Sequence, residues 1–208
     1  MLTAKLHDWR TSALLLVFAA APCAAFLLGV TKPLNIAMLA LMALLFAGCV
    51  ILIPAAQLPA YYGLIVWVFL FGFLLNVLYE LIQSPLYTHF AEPGYTYPEL
   101  VAMLLGASAA DGFIGLNVLF ALTVFQRGRR TPLRAWRWQD VAFVIALALA
   151  GQIVGETVAL RTGEWGYTAA MPRLPVLGVG LTPLLQIPLL ILPVFWLAHR
   201  VSGGPSSE

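Results

Sequence analysis

Apolar runs the length of a bilayer, separated by short polar segments, repeat along the chain. A helix needs about 20 predominantly apolar residues to cross the hydrocarbon core. Bounded by charges and by Pro and Gly breaks, six runs reach that length, at approximately residues 11–30, 34–55, 61–83, 100–125, 140–160 and 176–198. The pattern predicts an all-α fold, a polytopic membrane bundle of six transmembrane helices forming a single integral-membrane domain over residues 1–208. The first run follows Lys5 and Arg10 as the core of a signal peptide would, but it continues to Val30. That exceeds the usual core of about 7–15 residues, so a retained helix is expected. The last run carries Pro183, Pro188 and Pro193. Proline removes a helix hydrogen bond and crowds the preceding turn, which predicts a Pro-kinked sixth helix.

Composition agrees with the pattern. Of the 208 residues, 62% are hydrophobic and 10% charged, against about 45–50% and 25% in soluble domains. A soluble fold would leave much of that area in water at roughly 25 cal/mol per Å², so a soluble protein is excluded. Charge then sets the orientation. Five of the eleven Lys and Arg residues (Arg127, Arg129, Arg130, Arg134, Arg137) fall in one loop. With six spans they share a side with Lys5, Arg10 and Arg200, so both termini are expected in the cytoplasm, where Lys and Arg concentrate. The remaining loops leave no room for a soluble domain, and a plasma (bacterial inner) membrane is the expected location. The arginine loop serves as an orientation signal and, on a second reading, as a contact for anionic lipid headgroups. It lies between two spans rather than on a folded face with aromatics for base stacking, so no nucleic acid is expected as a partner. Cys23 and Cys49 lack metal-ligand or CxxC spacing, and neither a metal nor a cofactor is expected. Membrane lipids are the expected partners, with a hydrophobic small molecule as substrate; the oligomeric state is left open.

Three carboxylates sit inside the spans: Glu80, Asp111 and Glu156. Each costs roughly 2.5 kcal/mol or more at the bilayer centre, so such groups face a bundle interior or wet cavity. Gly72, Asn76, Glu80, Gln83 and Tyr87 follow one another at spacings of four, four, three and four, which makes one polar helix face. Gln152 and Glu156 are four apart, as are Thr182 and Gln186, and Ser108 precedes Asp111 by three. Glu80 and Glu156 fall within about 7 Å of their outer helix ends at 1.5 Å per residue, and Asp111 also lies in the outer half. A pocket opening outward is expected, with Glu80, Asp111 and Glu156 as catalytic groups and Asn76, Gln83, Gln152, Trp165, Tyr167 and Gln186 as substrate-binding groups. The bland alternative is that these polar groups only join helices, at roughly 0.6 to 2 kcal/mol each.

The outer loops, residues 84–99 and 161–175, are rich in aromatics and prolines. They read as an interfacial belt or as a lid with His89, Arg161, Glu164 and Trp165 on its rim. Gly106-Ala107-Ser108-Ala109, with Ala198-His199 near Gly203-Gly204, resembles elements of rhomboid intramembrane proteases. The final Gly of the serine element is missing, and the topology puts Ser108 and His199 toward opposite faces, whereas nucleophile and base must lie about 3 Å apart. The resemblance is therefore rejected. Three functions remain. The first is an integral-membrane enzyme, an isomerase or cyclase, using a carboxyl general acid/base on a lipid or isoprenoid-like substrate; it is similar in broad class to membrane-bound terpene cyclases and sterol isomerases. The others are a small proton- or cation-coupled transporter and a non-catalytic membrane assembly subunit.

Overall fold

The computed structural model describes residues 33–53, 57–91, 94–126 and 136–202. The first predicted span and four of the loop arginines, Arg127, Arg129, Arg130 and Arg134, lie outside these residues. The other five runs form helices: α1 (Pro33–Leu52), α2 (Leu58–Gln83), α4 (Tyr97–Phe125), α5 (Trp138–Thr162) and α6 (Leu181–Val201), with a single-turn helix α3 (Thr88–Ala91) after α2. Of the described helices, α2, α4, α5 and α6 are long and apolar enough to cross a membrane, and they mark the chain as membrane-embedded.

Local chemistry sets the helix ends. Thr96 and Glu99 form a capping box at the start of α4, the Thr96 backbone N–H reaching Glu99 Oε2 at 2.7 Å, which satisfies donors that the first turn leaves free. Asp140 accepts from the Arg137 backbone N–H at 3.0 Å at the start of α5. Helix α5 stops at Gly163, whose φ of 69° is a left-handed cap that glycine enters without Cβ strain. The sixth helix begins at Leu181 rather than near residue 176. Residues 173–180 form a turn instead: Arg173 bridges Gly180, and the Leu174 N–H donates to Val179 O at 2.8 Å. Gly178 takes φ 69°, a conformation that ends helical continuation. Pro188 and Pro193 lie inside α6, which runs unbroken past both.

Helix α2 occupies the middle, packing most extensively on α4 and then on α6; α5 lies against α6, and α1 against α4. The α2–α4 crossing is close because glycines face each other. A Cβ on Gly72 would stand 3.3 Å from Gly112 Cα, and one on Gly112 would stand 3.1 Å from the Phe69 ring. Gly106, Gly151 and Gly155 are different: a Cβ on any of them would meet no described atom within 4 Å. The core is apolar, with Tyr61, Leu64, Ile65, Leu119, Phe120 and Phe195 fully buried. Polarity is inverted relative to a soluble protein: Leu44, Leu78, Ile82 and Leu189 face outward, while Asn76, Gln83, Gln152, Glu156 and Gln186 are buried. Hydrocarbon removes the cost of the outward face, and internal hydrogen bonds offset that of the inward one.

Candidate functional site

The polar face predicted for α2 is present and meets Gln186 of α6. Gln186 Nε2 lies 2.9 Å from Asn76 Oδ1, 3.0 Å from Glu80 Oε1 and 2.7 Å from Asp111 Oδ2. Gln83 Nε2 donates to Gln186 Oε1 at 2.7 Å and to Glu80 Oε1 at 3.0 Å. Asn76 Nδ2 donates back to Gly72 O at 2.7 Å, which leaves its oxygen for Gln186. One amide thus joins α2, α4 and α6 and carries two carboxyl groups at once. Gln83 Oε1 is buried without a hydrogen-bond partner.

Glu156, on α5, has a different setting. The Tyr167 hydroxyl and the Trp165 indole N–H both donate to Glu156 Oε2, the latter at 3.3 Å. One turn earlier, Gln152 Nε2 donates to Pro183 O at 3.0 Å. A carbonyl oxygen has two lone pairs, so Pro183 O can accept this bond from α5 in addition to one from its own helix. Glu156 is near enough to interact electrostatically with both Glu80 and Asp111, so the three carboxyl groups share one neighbourhood. Among the described residues their hydrogen-bond partners are amides, a phenol and an indole.

The two loops close over this end of the bundle. Tyr87 bridges Tyr167, the Thr88 N–H donates to Gly166 O at 3.0 Å, and the Thr168 N–H donates to Leu86 O at 2.9 Å. Beside these pairs the Tyr87, Trp165 and Tyr167 rings pack together. Arg173 lies over the Tyr167 ring at 5.4 Å and donates to Tyr167 O at 3.1 Å. Burial pushes the Tyr167 hydroxyl well above the ordinary tyrosine range, and its bond to Glu156 raises it further. Tyr87 is raised by burial first and then by the charge of Glu156 and Glu80. His89 packs against Phe90 with ring centroids 4.7 Å apart and planes tilted by 46°, and burial lowers its pKa.

Of the nine residues singled out from sequence, Asn76, Glu80, Gln83, Asp111 and Gln186 therefore share one hydrogen-bonded group, and Glu156, Trp165 and Tyr167 share a second. Gln152 stands one helical turn from Glu156 and ties α5 to α6. Of the proposed rim residues, His89 and Trp165 join the aromatic cap, while Arg161 is exposed at the end of α5. Ser108 donates to Leu104 O at 2.9 Å within α4, and His199 occupies the last turn of α6, which agrees with rejecting a protease dyad. A cavity of ≈ 10 Å³ lies against Asn76 and Asp111, otherwise lined by Gly72, Gly115 and apolar side chains of α6. That is about the space of one water. Among the described residues no group of three or more His, Cys, Asp or Glu could hold a metal ion.

Sequence reasoning missed three contributors. Tyr79 donates to Thr182 O at 2.9 Å, Arg173 positions Tyr167, and Gly180 packs where a Cβ would stand 2.9 Å from Met171 Sδ and 3.0 Å from the Tyr167 ring. The aromatic run around Tyr167 was the available signal for the last two. Comparison with known protein families, curated proteins and solved structures gives no match.

Proposed function

We propose that the chain is an integral-membrane enzyme, an isomerase or cyclase, performing acid/base chemistry on a lipid or isoprenoid-like substrate. The proposed topology has six spans, cytoplasmic termini, a sixth helix bent at its prolines and the carboxyl cluster opening to the outer side of a plasma membrane. The observation that carries this reading is the pair Glu80 and Asp111 held on one amide, Gln186 Nε2, at 3.0 and 2.7 Å. A carboxyl group costs up to roughly 2.5–3.5 kcal/mol on insertion scales as it nears the bilayer centre, more than the roughly 0.6 kcal/mol an average interhelical hydrogen bond returns. Chemistry explains their retention better than helix joining does. Asp111 or Glu80 is the proton donor, Glu156 its partner, and Asn76, Gln83, Gln152 and Gln186 fix the geometry. Trp165 and Tyr167 shield positive charge that develops on the substrate, as aromatic faces do.

A second reading, a small proton- or cation-coupled transporter, draws on the water-sized cavity against Asp111, which suits a bound proton carrier better than a preformed lipid pocket. One experiment separates the two. Purified protein is incubated with a membrane-lipid extract and the lipids are read by mass spectrometry, while proteoliposomes are assayed for proton flux. The enzyme reading expects an isomeric or cyclised product that disappears in Asp111→Asn, with no flux. Carboxylate-dependent flux without product supports transport, and neither signal supports a subunit whose polar groups only join helices.

A further inference from the structure

The cluster around Gln186 holds more acceptors than its own hydrogens can serve. Gln186 Nε2 carries two hydrogens but faces three acceptors, on Asn76, Glu80 and Asp111, within 3.0 Å. The amide orientations are fixed by their surroundings: Asn76 Nδ2 is turned to Gly72 O, and Gln83 Nε2 to Glu80 and Gln186. Flipping either would set oxygen against oxygen. Gln83 Oε1 is therefore a real acceptor, on a residue only 2% exposed, with no donor. Glu80 Oε1 also accepts from Gln83 Nε2, so the amide hydrogens of Gln83 and Gln186 serve Asn76, Glu80, Asp111 and Gln186 Oε1 and leave Gln83 Oε1 as the acceptor that awaits a donor. An unmet buried polar group costs about 1–3 kcal/mol, so a ligand that brings donors here recovers that cost. A hydroxyl brings one, whereas a primary ammonium brings three and a positive charge. Glu80 and Asp111 are only half-buried, and the cavity against Asn76 and Asp111 is otherwise lined by Gly72, Gly115 and apolar side chains of α6. The site thus offers acceptors and negative charge at its centre and a hydrocarbon-compatible surface at its edge.

We propose that this cluster binds the protonated amine of an apolar molecule, its N–H groups meeting Gln83 Oε1 and the carboxyl oxygens of Glu80 and Asp111. The proposal shares with the proposed function only the premise that the cluster is a ligand site. Amine binding without lipid conversion leaves it standing, and conversion without amine binding removes it alone.

The test compares three twelve-carbon probes on the full chain in nanodiscs, with empty nanodiscs to subtract partitioning: dodecylamine, dodecyltrimethylammonium and dodecanol. The first has charge and donors, the second charge alone, the third one donor alone. Dodecylamine is expected to bind roughly tenfold or more tighter than either of the others, since a hydrogen bond to a charged partner contributes about 1.5–3 kcal/mol. Gln83→Leu should erase most of the advantage over dodecyltrimethylammonium and leave the latter's affinity unchanged. Glu80→Gln combined with Asp111→Asn should weaken both cations and leave dodecanol as it was. Equal binding of the three probes to the wild type overturns the proposal even if no variant folds, and so does an amine preference that survives removal of both carboxylates.

Discussion

Gln186 is the residue on which the cluster depends. Replacing it with Leu leaves Asn76, Glu80 and Asp111 without its two hydrogens and Gln83 Nε2 without an acceptor it reaches at 2.7 Å. A loss of at least about 2 kcal/mol is expected in reversible unfolding in mild detergent, and a loss below about 0.5 kcal/mol would show that the network is not formed. Tyr167 makes a pH prediction. Its folded pKa is raised by burial and by Glu156, so the stability it contributes is complete below the unfolded tyrosine value of about 10. That stability is lost as pH rises through the folded value. The unfolding midpoint should fall as pH rises above about 10, and Tyr167→Phe should flatten that fall. The individual polar residues were legible in sequence because a carboxylate or amide stands out in an apolar run. Which amide would carry both carboxyl groups was not, since Gln83 and Gln186 are 103 positions apart and only packing brings them together.

At the scale of helices, the same residue type has opposite consequences according to what faces it. Gly112→Ala would press a methyl to 3.1 Å from the Phe69 ring and 3.4 Å from the Phe69 backbone oxygen, so that α2 must give by a few tenths of an ångström, an overpacking cost of about 1–3 kcal/mol. Gly151→Ala meets no described atom within 4 Å and should be neutral or stabilise α5, since Ala exceeds Gly in helices by about 0.8–1 kcal/mol. Thermal unfolding of the two variants checks this, and an equal effect would contradict the packing. The lengths of the apolar runs located the described helices to within a few residues because a span has a length set by the bilayer. It could not see which glycines lie at crossings, which is a matter of helix rotation. It also placed the start of the sixth helix too early, because Val176-Leu177 is apolar, although Gly178 at φ 69° and the Arg173–Gly180 bridge hold that stretch in a turn.

For the molecule as a whole, the apolar exterior, the polar cluster at one end and the paired loops above it form one arrangement. Tyr87 reaches Tyr167 and Thr88 reaches Gly166, so the loop after α2 and the loop after α5 are joined directly over the carboxyl groups. The all-helical class and the four helices long and apolar enough to cross a membrane could be read from the chain, because hydropathy acts over whole segments. The joining of the loops could not, because it rests on a few backbone pairs with no periodic signal. The proposed function turns on proton transfer between these carboxyl groups and a lipid. It is tested most directly by incubating the wild type and Asp111→Asn with a lipid extract in D₂O and reading deuterium at carbon by mass spectrometry. Deuterium in one lipid class with the wild type, and none above the protein-free control with Asp111→Asn, is the predicted result; no incorporation with the wild type, or equal incorporation with both, would contradict it.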